Sequence, residues 1–229
     1  MSTTEQSKAM PSRRCVVSFA DGSGDYAKKL NRLRDSVKRF SKADFIGFTS
    51  CQEIGCESHR IVPYKFKPYA IQKAREMGYT SILWCDSPVH AIKPIDHIFD
   101  YIEENSYLFF DNIGWTLGRW SNQRSLDYFG VTKEQAEQKK IIMACVMGFD
   151  FREKMVCDLF DEYKELANFL YPGSWEDHRH DQTVMSYLLD RDGFNLIEAH
   201  KTFFAYYPEH YQALDVSPDI CMQSKGLGI

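Results

Sequence analysis

The chain has 229 residues, of which 44% are hydrophobic, 26% charged and 14% aromatic, with a formal charge of −4. That length suits one domain able to bury a sizeable core, and the apolar fraction excludes a wholly disordered chain. The acidic balance argues against nucleic-acid binding through bulk positive charge, and no apolar run is long enough to span a membrane.

Residues 1–12 are polar and aperiodic and read as a flexible N-terminal tail, with the folded domain over 13–229. The start of the chain lacks the apolar segment of a secretory signal. Cys15-Val16-Val17-Ser18-Phe19-Ala20 is a short apolar run stopped by Asp21-Gly22-Ser23-Gly24, the pattern of a buried strand entering a loop. From Tyr26 to Lys42, Leu30, Leu33, Val37 and Phe40 recur at helical spacing, and Asp44–Thr49 follows as a second strand. Strand, helix, strand is the opening of a parallel α/β sheet. A helix is predicted over Pro68–Met77, then a buried strand Thr80–Cys85, a helix over Ile95–Glu104 and a strand Tyr107–Phe110. Asp111–Arg124 shows no clear period. Thr132-Lys133-Glu134-Gln135 has the form of a capping box opening a polar helix. Ile141–Phe149 reads as a strand, Arg152–Leu170 as a helix, the segment after Asp181 as a final helix, and Phe194–Ile197 as the last strand.

Seven cysteines, an odd and scattered set, do not form a disulfide framework, and Cys51 and Cys56 have no second pair to complete a zinc site. A reducing, cytoplasmic setting follows as the expectation, in the cell or an infected host. The charge is uneven. Residues 1–50 carry +5 and the remainder −9, with the basic excess on the helix from Lys28 to Lys42. That helix is either a solvated face or a contact for a phosphate-bearing acceptor such as DNA.

In open α/β sheets, ligands bind beyond the carboxyl ends of the parallel strands. The residues there are Ala20-Asp21-Gly22, Thr49-Ser50, Asp86-Ser87, Asp111-Asn112 and Glu198-Ala199-His200. The set is polar and acidic. It holds no lysine-type phosphate loop, no G-x-G-x-x-G after the first strand and no G-x-S-x-G elbow, which lowers the kinase, dehydrogenase and hydrolase readings. A nucleotidyltransferase normally has a glycine-rich basic loop there, and only Asp21-Gly22-Ser23-Gly24 is present.

Asp86 ends a buried strand, where an acid needs a cation or donors to offset its desolvation. It either contacts a diphosphate through a divalent ion or caps the turn into Ser87-Pro88. Mg²⁺ and Mn²⁺ prefer such oxygen ligands, and Mn²⁺ also accepts imidazole. Lys67, ahead of Pro68, either neutralises a diphosphate or simply starts a helix. Asp181 suits a helix N-cap and, compatibly, a ligand at a helix N-terminus. His178, Arg179 and His180 make that loop cationic. His200 is a ligand or a structural histidine at a strand end, while His90 and His97 flank a proline-containing loop. Trp84 reads as core. Trp115, Trp120 and Trp175 lie in irregular segments and either stack on a ligand or pack as loop aromatics.

Ile82-Leu83-Trp84-Cys85-Asp86-Ser87 resembles the strand and acidic D-x-D motif of GT-A glycosyltransferases. His180-Asp181-Gln182 before an apolar helix is similar to the Asp-Gln motif of the glycogenin-like branch, and Phe19-Ala20-Asp21-Gly22 to the strand end that cradles the base. The resemblance covers roughly residues 13–205 and points to a small viral or bacterial type. It implies a single GT-A-like (Rossmann-like) α/β domain with a mostly parallel sheet, transferring sugar from a nucleoside diphosphate donor, a UDP-sugar in that branch, with retention. Asp181 and Gln182 would then be the catalytic, sugar-holding pair. Ala20, Asp21, Thr49, Lys67, Asp86 and Ser87 would line the donor nucleotide. Asp111, Asn112, Trp115 and His180 would face sugar or acceptor, and Asp86 with His200 would hold Mn²⁺ or Mg²⁺. Two departures stand out: Pro88 replaces the second acid of D-x-D, and Lys201-Thr202-Phe203-Phe204 replaces the branch's Gly and Lys-Pro-Trp. The acceptor is left open among glycan, protein and a modified base of DNA. A non-catalytic nucleotide-sugar-binding module is the alternative that the missing acid suggests.

Overall fold

A computed structural model describes residues 12–22, 24–172, 178–207 and 217–225. The expected tail, apart from Ser12, lies outside them, as does Trp175. In chain order the elements are β1 (Arg14–Phe19), α1 (Asp25–Phe40), β2 (Asp44–Phe48), α2 (Cys51–Ile54), α3 (Phe66–Glu76), β3 (Ser81–Cys85), β4 (Val89–Ala91) and α4 (Asp96–Asn105). They continue with β5 (Tyr107–Thr116), α5 (Gln123–Phe129), α6 (Lys133–Glu137), β6 (Lys140–Asp150), α7 (Lys154–Leu166), α8 (His180–Arg191), β7 (Ile197–Glu198), β8 (Phe204–Tyr207) and β9 (Met222–Lys225).

Six strands form the main sheet in the order β2-β1-β3-β6-β5-β7. β1 pairs in parallel with β2 and β3, β5 in parallel with β7, and β6 alone runs against its neighbours. Strands β1 and β3 are predominantly apolar and buried at every position but Arg14, because the sheet is covered on both faces. Alternation divides them. Val17 and Trp84 point into the core under α3, α7 and α8, whereas Val16 and Leu83 point into the core under α1 and α4. Where α4 crosses the sheet, the chain needs Gly148, since a Cβ there would meet Ile102 Cδ1 at 2.6 Å and Leu108 Cβ at 2.7 Å. The predicted capping box forms at α6: Gln135 N–H donates to Thr132 Oγ1 at 3.2 Å, and Thr132 N–H to Gln135 Oε1 at 2.8 Å.

The α/β class and the mostly parallel sheet are as predicted; the short helices α2 and α5 were not, and three further differences concern the strands. β5 runs six residues past Phe110, through register shifts that break the alternation a sequence pattern relies on. The last strand of the main sheet is Ile197–Glu198, shifted from the predicted Phe194–Ile197. A second, three-stranded sheet, β4-β9-β8, was absent from the prediction because its strands are three or four residues long, too short to display a period. This small sheet sets the neighbourhood of the Asp86 turn. Val89, Ser224 and Tyr206 form the row nearest that turn, and Ala91, Met222 and Phe204 the row farther away.

Candidate functional site

The carboxyl ends of β1, β2 and β3 open onto one edge, and the chain delivers charge there from three distant segments. Asp86 directly follows β3. Its backbone N–H donates to Cys145 O at 2.8 Å, and its carbonyl accepts from Val89 N–H at 2.9 Å, so the turn into β4 is fixed at both sides. Trp84, wholly buried, donates its indole Nε1–H to Asp86 Oδ1 at 2.9 Å. The core tryptophan therefore also aims the acid.

Lys67 enters from the first turn of α3, the positive end of that helix, where a cation is stable only if acids meet it. Only 2% of Lys67 is exposed. Its Nζ lies 2.8 Å from Asp181 Oδ2, 3.1 Å from Asp86 Oδ1 and 3.0 Å from Ala144 O. Those three partners match the three protons of an ammonium group. Asp181 is 3% exposed, whereas the Asp86 side chain keeps 29% of its surface. Burial pushes the Asp181 carboxyl up to about 6, with Lys67 opposing the rise. Burial also pulls the Lys67 ammonium down, but Asp181 and Asp86 more than offset this, and the group ends well above its ordinary range.

Aromatic rings wall this cluster. The Lys67 ammonium lies 5.0 Å from the Tyr64 ring and 5.9 Å from Trp84, Phe66 stacks on Phe19 at 4.5 Å, and His59 meets Tyr64 edge-on at 4.7 Å. His59 also accepts the Tyr64 N–H through Nδ1 at 3.0 Å. Burial, then Lys67, lowers the His59 pKa, while Asp21 and Asp86 oppose. Asp86 likewise acts on the hydroxyls of Tyr26 and Tyr206, both raised chiefly by burial. His59, Tyr64, Tyr26 and Tyr206 were not singled out in the sequence. The interleaving of aromatic and basic residues in Tyr64-Lys65-Phe66-Lys67 is the signal that could have found one of them.

The other predicted residues divide into those at this edge and those elsewhere. Ala20 N–H donates to Phe48 O and Gly22 N–H to Thr49 O, both at 3.0 Å, which zips the ends of β1 and β2 and leaves Asp21 exposed. Thr49 Oγ1 donates to Glu53 Oε1 at 2.9 Å, beside the Ser50 cap of α2. Ser87 is buried in the turn after Asp86. Asp181 lies within the first turn of α8, not at its N-cap, which is Arg179 and makes no side-chain cap bond. Gln182 donates its side-chain amide to Ile142 O and ties α8 to β6. His180 is buried, its ring 5.8 Å from that of Tyr64 and its Nδ1 bonded to Tyr171 O. His178 Nε2 bonds Leu170 O at 2.8 Å, so the imidazoles of this loop pack inward. Asp111 is buried and pairs with Lys140 at 2.7 Å, next to the half-buried Asn112, and Trp115 is exposed farther along β5.

His200 belongs to the far side of the small sheet. Its N–H donates to Phe204 O at 2.7 Å, and Phe204 lies in the row about 7 Å from the row flanking the Asp86 turn. His90 contacts Gln223 and His97 contacts Cys221. Among the described residues no three His, Cys, Asp or Glu side chains converge to hold a metal. Both Asp86 oxygens already face Lys67, and Oδ1 also accepts from Trp84. The described residues thus do not fit a complete Mn²⁺ or Mg²⁺ site; Lys67 brings positive charge to this edge, and the Arg32 guanidinium donates to Pro88 O at 2.8 Å in the same turn.

A cavity of about 450 Å³ lies elsewhere, at the amino ends of β1 and β2, lined by Ser12, Arg13, Arg14, Lys42, Asp44, Asp96 and Asp100. Its charges neutralise one another, with Arg14 bound to Asp100 at 2.7 Å, and ligands of open α/β sheets bind at the other end.

The fold has counterparts in solved structures. A glycosyltransferase involved in the glycosylation of the major capsid of PBCV-1 matches 93% of this chain and 92% of its own, at TM-score 0.58 and 19% identity. The bifunctional glycosyltransferase WbbM matches 87% of this chain over 40% of its own, at TM-score 0.55 and 12% identity. The chain has a GT-A-type glycosyltransferase fold. At those identities the likeness establishes the fold alone. No protein-family model and no curated relative matches the sequence. No helix among the described residues of this GT-A-type domain is long and apolar enough to cross a membrane.

Proposed function

We propose that the chain is a glycosyltransferase that moves a sugar from a nucleoside diphosphate donor, a UDP-sugar, to an acceptor hydroxyl. One observation carries the reading: the buried Lys67 bridges Asp86 and Asp181 at the carboxyl edge of a GT-A-type sheet. In the reaction the bond from the anomeric carbon to the β-phosphate oxygen breaks, its electron pair going to the phosphate. The acceptor oxygen bonds the anomeric carbon, and its proton passes to the departing diphosphate.

Lys67 supplies the positive charge that this departure needs, inside an aromatic wall where electrostatic interactions are strong. All three ammonium protons are committed, so a phosphate oxygen gains one by displacing a present partner. Asp86 yields most readily, because its part-exposed carboxylate can turn to water while Asp181 cannot. Asp181 keeps the ammonium aimed from behind, and Gln182, next along α8, reaches the sugar by giving up its amide bond to Ile142 O. Asp21 and Thr49 flank the base and ribose. The neutralised acids and the inward-turned Gln182 amide also suit a module that binds the donor without turnover.

Thermal-shift titration with UDP and UDP-sugars, with and without Mn²⁺, reads donor binding, and release of UDP reads turnover. Donor binding with UDP release is expected, and Asp86→Ala should lose the release. Donor binding without release supports the binding module. Full transfer by Asp86→Ala, with and without chelator, sinks the assignment.

A further inference from the structure

Past the carboxyl edge of the sheet, β5 and β6 continue as a two-stranded arm in which Asp111 pairs with Ile142 and Thr116 with Lys140. The arm carries Trp115, whose surface is 45% exposed. Its ring lies 5.2 Å from that of Trp120 at 44°. Trp120 is held by α8: its carbonyl accepts from Arg179 N–H at 3.2 Å and from Thr183 Oγ1 at 2.9 Å. The Arg179 guanidinium covers the Trp120 ring at 3.6 Å, and that of Arg119 lies 5.2 Å from it. These bonds anchor the ledge two residues from Asp181, beside the position assigned to the donor sugar.

We infer that this ledge is the acceptor subsite and that it binds a carbohydrate, one pyranose ring lying on the indole of Trp115. The inference rests on the donor-site reading above. A large aromatic left in water on an ordered arm invites an apolar face to cover it. The C–H face of a sugar ring supplies that, and its hydroxyls can accept from Arg119, which makes no ion pair among the described residues.

The test titrates the full chain and its Trp115→Phe and Trp115→Ala variants with maltohexaose, cellohexaose, chitohexaose and mannohexaose, read by calorimetry. A short DNA duplex is the counter-probe, and the UDP-induced thermal shift is recorded in parallel. At least one oligosaccharide should bind the unmodified chain, with Trp115→Phe close to it and Trp115→Ala roughly tenfold weaker. The UDP shift should be unchanged by both substitutions. Equal affinity in Trp115→Ala, binding of the duplex alone, or binding of no oligosaccharide overturns the inference. Absence of a UDP shift in the unmodified chain instead overturns the donor reading, so the two failures are separable.

Discussion

Replacing Lys67 by Met preserves the length of the side chain and deletes its charge. The ammonium is 2% exposed and serves Asp181, Asp86 and Ala144 at once. Removing one partner of a buried ion pair costs about 3–5 kcal/mol, because the remaining charge stays out of water. Asp181 makes that loss depend on pH. Burial raises its carboxyl to about 6, above its ordinary 3.8. A carboxyl raised by folding contributes stability that is complete below its unfolded pKa and is lost as pH rises through the folded one. For Asp181 that window runs from about pH 4 to about pH 6 and amounts to roughly 3 kcal/mol. Without Lys67 the carboxyl rises further, and the variant keeps losing stability at pH values where the parent has levelled off. Urea unfolding at about pH 5 and about pH 8 checks this, with the midpoints well separated at the higher pH and closer at the lower. A gap of equal size at both values, or no gap at all, refutes the proposed coupling of Lys67 to Asp181.

Two further substitutions test the frame that holds the site. Gly148→Ala places a methyl 2.6 Å from Ile102 Cδ1 and 2.7 Å from Leu108 Cβ, and the second atom cannot swing away because Leu108 is its register partner. A loss of about 1–3 kcal/mol in urea unfolding is expected, and an unchanged midpoint would show that α4 and β5 can part. Thr132→Ala removes the hydroxyl that caps α6 and frees Gln135, at about 1 kcal/mol, and should leave UDP binding untouched because this helix lies outside the donor edge. Altered UDP affinity in that variant would contradict this placement.

The frame was legible where burial is two-sided. β1 and β3 are rich in buried apolar residues because helices cover both faces, and α1, α4 and α7 show a single apolar stripe each. β8 and β9 were not legible, because four residues such as Phe204-Ala205-Tyr206-Tyr207 gain strand character only from a partner elsewhere in the chain. The site divides the same way. Asp86 stands out as an acid ending a buried strand, and Lys67 and Asp181 stand out near predicted helix starts. Their convergence on one ammonium is a contact among residues 67, 86, 144 and 181, and no local pattern encodes it. The Gln182 amide illustrates the limit: its motif suggests a sugar, and its hydrogen bond goes to the backbone of β6.

Lys67 closes the fold and, in the proposed reaction, faces the donor, so loss of activity on its removal does not separate the two roles. Asp86 does separate them. Its carboxylate is part-exposed, and its removal leaves Lys67 still paired to Asp181 at 2.8 Å, deep in the aromatic wall. Little stability should therefore depend on Asp86, because water already reaches it and the buried pair survives without it. A variant at Asp86 that folds as well as the parent but fails to release UDP places the acid in the reaction. A variant at Asp86 that unfolds as readily as Lys67→Met would mean that the edge is a structural ion cluster, with three charges serving the fold and none the donor.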